Sequence, residues 1–187
     1  MKQFVTIFLA IVSLFISPGY ASSLDNQEIR YLLFVTEEGK LAHDVYLVFQ
    51  RKYRDRVFPN IRRSEKLHMD AMAGLLDRYG LNNPFRTGVG EFDDQSLQGL
   101  YELLADRGMK SRVEAIKVGA LIEEKDMIDT VKAMQITNEP AIRREYAKHL
   151  ASSESHLKAF VYRLEALGVV YEPVLLSEER YQTIVGS

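Results

Sequence analysis

Apolar residues recur every three to four positions along four long segments of this 187-residue chain, and this spacing is typical of amphipathic helices. No segment of the sequence shows the period-two alternation of a half-buried β-strand. The predicted long helices cover residues 25–53, 59–79, 113–134 and 138–167. The pattern therefore predicts an all-α fold in which each helix buries its apolar face against its neighbours.

Turn-forming residues separate these helices and leave room for two shorter ones. Gly80 and Gly168 end the second and the fourth long helix. Residues 80–95 are rich in Gly, Pro and Asn and predict a loop, after which residues 96–106 predict a short helix. Ser177 could cap a last short helix on the outside of the bundle. Together these elements predict a four-helix bundle with one short extra helix in the long connection between its second and third long helices.

The first residues have a different character from the rest of the chain. Lys2 precedes an apolar run at residues 4–16 that is short for a membrane span, and Gly-Tyr-Ala at residues 19–21 resembles a signal-peptidase site. A cleaved signal peptide is the favoured interpretation, and an uncleaved anchor is the alternative. The predicted divisions are a signal peptide at 1–21, a bundle domain at 22–176 and a short tail at 177–187. We therefore expect a periplasmic or secreted protein that has no membrane association after cleavage.

The composition restricts the chemistry that this chain can perform. It contains no Cys, which excludes thiolate zinc sites, iron–sulfur clusters and cysteine nucleophiles, so that any metal must be bound by nitrogen and oxygen ligands. Lys and Arg number 24 against 26 Asp and Glu, and acids are interspersed among the local basic clusters. This balance argues against a nucleic-acid partner. The expected partners are metal ions, and a homodimer would also be compatible with such a bundle.

The second predicted helix carries a Glu-x-x-His motif. Glu65 and His68 are three residues apart and share one face with the apolar Ile61 and Met72. Burying a carboxylate and an imidazole costs several kcal/mol unless each is paired or coordinated. Carboxylate-bridged metal proteins use this spacing on bundle helices. For the motif alone, an exposed Glu beside a hydrogen-bonded core His is the alternative interpretation.

Acid pairs in two other helices supply further candidate ligands. Glu38 falls within the apolar stripe of the first helix, whereas Glu37 lies toward its edge. Glu124 is flanked by apolar residues at helical spacing, whereas Glu123 aligns with Asp126 in a row that could be solvated or could lie behind the ligands. We therefore favour Glu38 and Glu124 as ligands and keep Glu37, Glu123 and Asp126 as less favoured candidates. For either pair alone, a solvated helix face is the alternative.

The fourth long helix offers His156, which lies in register with the core stripe. Ser153 holds the position that would be Glu in a second Glu-x-x-His motif, and Glu154 points to the opposite side of the helix. The predicted site is therefore one carboxylate short of a symmetric centre. A hydrogen-bonded core histidine is the alternative for His156. His43 and His149 are interpreted as peripheral.

Taken in chain order, the motifs resemble those of a bacterial and archaeal ferritin-like family, domain of unknown function 2202. They are F-x-x-E-E-x-K-L-A-x-D-V-Y at 34–46, S-E-x-x-H-x-D-A at 64–71, L-x-R-Y-G-L at 76–81, V-G-A-x-I-E-E-x-D at 118–126 and H-L-x-A-F at 156–160. The resemblance covers roughly residues 28–176 and implies an all-α, ferritin-like four-helix bundle, distantly related to rubrerythrins, with a dinuclear metal centre. The implied ligands are one of Glu37 and Glu38, Glu65, His68, one of Glu123 and Glu124, and His156. Gly39 departs from the family, which commonly has a third consecutive Glu there.

These residues predict a metal-binding protein that holds iron as one ion or a di-iron pair, with Mn and Zn as alternatives. Bound iron would support Fe(II) oxidation or peroxide reduction, the chemistry of a di-iron oxidase or peroxidase. A non-catalytic metal-binding protein using the same ligands is one alternative. A helical scaffold whose acids are neutralised by nearby lysines is another.

Overall fold

The structure, a computed structural model, describes residues 24–186, and this part of the chain is all-helical with six helices and no strand. The helices are α1 (Asn26–Tyr53), α2 (Val57–Arg78), α3 (Gln95–Gly108), α4 (Arg112–Ile136), α5 (Pro140–Glu165) and α6 (Glu178–Val185). The all-α prediction is confirmed for these residues. None of the six helices combines the length and the apolarity needed to cross a bilayer. The predicted signal peptide at 1–21 lies outside the described residues.

Local signals in the sequence account for several of the helix ends. Asp25 caps α1 through a capping box with Glu28, and the Ser111 and Ser177 hydroxyls accept hydrogen bonds from the first turns of α4 and α6. Gly80 follows α2 with a φ of 67°, a left-handed conformation that Gly adopts without strain. The short helix α3 lies where the sequence predicts it. Residues next to the boundary therefore account for the starts of α1, α4 and α6 and for the turn after α2.

The helices pack against one another in defined pairs. α1 packs against α2 and α4, and α5 packs against the same two helices. α3 lies against α1 and α4, and α6 lies against α5. One apolar cluster centres on the aromatic rings of Tyr46, Phe49, Phe58 and Phe160, and a second contains Leu32, Leu76, Ile142 and Tyr146.

Buried polar residues fall between these two apolar clusters along α1, α2, α4 and α5. We call this set the polar layer. Its members are Glu38, Glu65, Glu123, Asp126, Thr130, His149, Ser153 and His156. Because apolar residues flank the layer on every one of these helices, its polar groups are held away from solvent. Such burial makes their partners, or the lack of them, energetically important.

Candidate metal centre

Three helices bring a carboxylate pair and an imidazole together in the polar layer. Nδ1 of His156 lies 2.9 Å from Oε1 of Glu65 and 3.4 Å from Oε2 of Glu123. One ligand atom from each of these residues lies within 4.8 Å of the other two, and all three residues are buried. We call these residues the Glu/His cluster. They come from α2, α4 and α5, so the packing of those helices fixes the geometry.

Most polar atoms of this layer lack a hydrogen-bond partner. Although His156 Nδ1 is close to Glu65, neither it nor either oxygen of Glu65 is aligned for a hydrogen bond. Within residues 24–186 the buried side-chain atoms without a partner all belong to the polar layer. They are Glu38 Oε2, Glu65 Oε1 and Oε2, Glu123 Oε2, Asp126 Oδ1 and Oδ2, Thr130 Oγ1, His149 Nε2, Ser153 Oγ and His156 Nδ1. Proteins rarely leave such atoms unpaired, and this oxygen and nitrogen donor set fits a divalent metal ion.

Asp126 and His149 form a second pair of donors beside the Glu/His cluster. Asp126 Oδ2 lies 3.9 Å from His149 Nε2. Burial raises the pKa of Asp126 well above its ordinary value, and the neighbouring carboxylates, chiefly Glu38 and then Glu123, raise it further. The layer thus brings several acidic groups together away from solvent. Asp126, a less favoured candidate in the sequence, lies inside the layer.

Glu38 is the contribution of α1 to the layer. One oxygen accepts a hydrogen bond from Lys125 Nζ at 2.5 Å, while Oε2 has no partner. Burial raises the pKa of Glu38 to about 7, although the Lys125 ammonium acts in the opposite direction. Lys125 also contacts Asp129 at the edge of the protein interior. α1 therefore supplies one carboxylate, that of Glu38, to the polar layer.

The histidines of the layer differ in their protonation. Burial by itself lowers the pKa of His156, but the carboxylates of Glu123 and Glu65 outweigh that effect and raise the pKa to about 10. Burial lowers the pKa of His149 to about 4, so its imidazole is neutral at physiological pH and can act as a ligand. The half-buried ring of His68 packs edge-on against His149 at a centroid distance of 5.0 Å. His68 thus lies beside the layer.

His149 was expected at the periphery of the fold, and that expectation is wrong because only 4% of the residue is exposed. It lies seven residues, about two helical turns, before His156 on α5, so both histidines point to the same side of the helix. This seven-residue spacing could have indicated from the sequence that His149 is buried on the same side of α5 as His156.

Tyr46 orients one of the carboxylates in the Glu/His cluster. Its hydroxyl donates a 2.6 Å hydrogen bond to Oε1 of Glu123. Burial raises the pKa of this tyrosine well above its ordinary value, and the charge of Glu123 raises it further. Tyr46 therefore keeps its proton and holds Glu123 with Oε2 turned toward His156.

Glu124 lies outside the cluster, although the sequence favoured it over Glu123. Its carboxylate accepts hydrogen bonds from the backbone amides of residues 174–176 and from the Tyr171 hydroxyl, at 2.6–3.1 Å. These contacts anchor the segment between α5 and α6 to α4. The structure brings Glu123, and not Glu124, to His156.

Glu37 also has a partner elsewhere. Its carboxylate accepts hydrogen bonds from the backbone amides of Asp93 and Asp94 at the start of α3. Glu37 therefore ties α1 to the loop before α3, and the structure does not bring it to the Glu/His cluster.

Residues 28–187 match a family model described as "Uncharacterized protein domain (DUF2202)". A curated relative, "Uncharacterized protein MJ0754" of Methanocaldococcus jannaschii, is 38% identical over 174 residues, which is 90% of this chain and 94% of the relative. The crystal structure titled as hypothetical protein MJ0754 from Methanococcus jannaschii superposes with a TM-score of 0.85 at 37% identity, covering 88% of this chain and 94% of the other. The names of these relatives state no activity.

Proposed function

The chain belongs to the DUF2202 family, and from the chemistry of its polar layer we propose that it is a metal-binding protein whose Glu/His cluster holds iron. The single observation that carries this proposal is the set of buried, unpaired oxygen and nitrogen atoms on four helices. A divalent cation would satisfy the unpaired atoms of the Glu/His cluster together, whereas no other group in the described residues does so.

The balance of charge in and around the layer supports a cation. Its four carboxylates face two cationic side chains. The acids are Glu38, Glu65, Glu123 and Asp126, and the cations are Lys125 and His156. Because buried carboxylates are costly unless a proton or a cation neutralises them, this shortfall of positive charge favours binding of a divalent ion, which would replace the proton that the raised pKa of Asp126 implies. When the ion binds, it would also displace the proton of His156, which is held there by the same carboxylates.

We propose Glu65, Glu123 and His156 as the ligands of a first ion. Asp126 and His149 are the donors available to a second, which would make the centre a di-iron type. Glu38 would serve the second ion through its unpaired oxygen. Glu37 and Glu124 hold backbone amides instead and are left out of this assignment.

The closed circuit of contacts among α1, α2, α5 and α4 supports a ferritin-like four-helix bundle, which we propose as the architecture. We also retain the proposal of an exported protein, which depends on the sequence of residues 1–21 alone.

Iron in such a site supplies one-electron redox chemistry, so the activity that we propose is Fe(II) oxidation or peroxide reduction. Three features of the surrounding side chains would support that activity. Tyr46 fixes the orientation of Glu123, and the two apolar clusters keep bulk water from the carboxylates. The neutral imidazole of His149 can coordinate without first losing a proton.

A non-catalytic metal-binding protein is the second candidate, and the Glu38–Lys125 ion pair favours it. Lys125 occupies one oxygen of Glu38, which lowers the number of ligand atoms left for a second ion. A centre that holds a single ion would store or buffer the metal without the two-ion chemistry.

Anaerobic titration with Fe(II), followed by measurement of bound iron per chain, tests the proposal. Glu123→Gln should lose iron, whereas the matched variant Glu124→Gln, which alters an equally buried neighbour on the same helix, should retain it. Circular dichroism would verify that both variants are folded. No bound iron in the unaltered protein, or equal iron in both variants, would overturn the assignment. Oxygen consumption per bound iron would then separate an oxidase from a storage protein.

A further inference from the structure

A separate cavity of about 390 Å³ lies where α1 ends and α2 begins. Its size falls within the range of about 300–1,000 Å³ that is usual for small-molecule sites. Its lining is dominated by arginine. The residues around it are Arg54, Asp55, Arg56, Val57, Asn60, Arg112, Ala159, Tyr162 and Arg163. We call this cavity the arginine pocket.

The arginine pocket is strongly positive, although the whole chain is slightly negative. Four arginines and one aspartate line it, which gives a local charge of +3, whereas the net charge of the chain is −2. The local excess is therefore not a consequence of a basic composition. A concave positive surface concentrates anions.

Asp55 holds two of the guanidinium groups in place. It is 5% exposed and accepts hydrogen bonds from Arg112 Nε at 2.7 Å and from Arg163 Nε at 2.9 Å. One carboxylate between two guanidinium groups leaves a net positive charge. Arg54 and Arg56 form no ion pair with an acid in the described part of the chain, so their charges are available to a ligand.

Arg54 stands in a backbone conformation that does not suit it. Its φ of 53° makes it the one residue other than Gly with a positive φ among residues 24–186. It follows Tyr53, the last residue of α1, at a position where Gly avoids the steric strain that a side chain incurs. Keeping an arginine there costs stability, and strain of this kind is commonly retained at sites of function.

One other feature of the wall suits an anionic ligand. Tyr162 is 73% exposed and presents an aromatic ring beside the arginines. A ring of this kind can stack on a planar group attached to the anion.

We propose that the arginine pocket binds a small molecule carrying a phosphate group, with Arg54 and Arg56 as its principal donors. Guanidinium groups match phosphate oxygens through paired, charge-assisted hydrogen bonds. A phosphate monoester carries close to two negative charges at neutral pH, which Arg54 and Arg56, the two arginines of the pocket without an acidic partner, would balance. This site is independent of the metal proposal.

Calorimetric titration with inorganic phosphate and with AMP, at constant ionic strength, tests the proposal. Both should bind to the unaltered protein, and the double variant Arg54→Gln/Arg56→Gln should lower both affinities by about tenfold or more. The control Arg51→Gln/Arg63→Gln removes the same charge outside the pocket and should leave both affinities unchanged. Tighter binding of AMP that Tyr162→Ala abolishes would identify a ring-bearing phosphate ester, whereas equal affinities unaffected by that change would identify the free phosphate ion.

Arg54→Gly supplies a second test in which folding is not at risk. Glycine relieves the strain, so the melting temperature should rise by roughly 2–4 °C while the affinity for AMP falls. An unchanged affinity in Arg54→Gly or in the double Gln variant would overturn the proposal. So would the failure of both ligands to bind at millimolar concentration.

Discussion

Replacing Asp126 by asparagine removes one buried negative charge while keeping the shape of the side chain. Asp126 is 1% exposed, and neither of its oxygens has a hydrogen-bond partner. Burial raises its pKa, and the carboxylates of Glu38, Glu123 and Glu65 raise it further. If this residue is present for a metal ion, it destabilises the metal-free protein. We therefore expect Asp126→Asn to be more stable than the unaltered protein when metal is removed.

The size of the expected gain in stability follows from the ordinary pKa of the Asp side chain. Protonating a carboxyl whose unfolded pKa is 3.8 costs about 4 kcal/mol at pH 7, which is the upper limit of the penalty. The amide avoids this cost, but its own unpaired polar atoms cost about 1–3 kcal/mol. A net gain of about 1–3 kcal/mol remains, and for a domain of this size it raises the melting temperature by roughly 3–10 °C.

The pH dependence of the stability difference tests the direction of this effect separately. Because the folded pKa of Asp126 lies above the unfolded pKa, its contribution is fully favourable below pH 3.8 and is lost as the pH rises. The stability difference between the variant and the unaltered protein should therefore be smallest near pH 4. It should widen by up to about 1.4 kcal/mol per pH unit toward pH 7.

Urea denaturation in the presence of EDTA, between pH 4.5 and 7.5, measures this difference. The matched control is Glu124→Gln, since Glu124 lies on the same helix and is equally buried but has hydrogen bonds to both oxygens. That variant should be less stable by about 2–3 kcal/mol. A loss of stability in Asp126→Asn at pH 7 would refute the reasoning, because it would show that this carboxylate has a stabilising partner in the metal-free fold.

Three further changes have defined outcomes. Lys125→Met leaves Glu38 without its counterion, so urea denaturation in EDTA should show a loss of about 2–3 kcal/mol, and added Fe(II) should restore part of it. Glu38→Gln should flatten the stability profile between pH 4.5 and 7, because the folded pKa of about 7 makes the unaltered protein lose stability as the pH rises through that window. Gly119→Ala places a methyl group against the Phe160 ring and should lower stability by about 1–3 kcal/mol in thermal melts, with helicity retained.

The starts of several helices could be predicted from the sequence because the capping signals there are local. Asp25, Ser111 and Ser177 each accept a hydrogen bond from a backbone amide two or three residues away. Such bonds depend on neighbouring residues alone, so they form whatever the rest of the chain does. Gly108 shows the limit of this reasoning. The short helix was predicted at residues 96–106, but α3 extends to Gly108, whose lack of a side chain lets the Phe49 ring pack against it.

The choice between Glu123 and Glu124 could not be made from the sequence. α4 packs against α1, α3 and α5, so the helix is covered on most of its circumference and both glutamates are fully buried. An apolar stripe distinguishes an inward side from an outward side, but here there is hardly an outward side. What separates the two residues is the segment at 174–176, whose amides bind Glu124. That contact joins residues about fifty positions apart, so no periodic pattern in the sequence reveals it.

The polar layer as a whole can be recognised in the sequence pattern, whereas its single residues cannot. On α5 the apolar stripe is interrupted between Tyr146 and Leu157, where His149, Ser153 and His156 follow one another at spacings of four and three. A lone polar residue in such a stripe has many explanations, but a run of three on one face has few, because each member must be paired, coordinated or left at a cost. His149 follows from this run without knowledge of its contacts. The continuity of polar positions along the buried face of a helix therefore predicts members of a layer more securely than the assignment of each residue by itself.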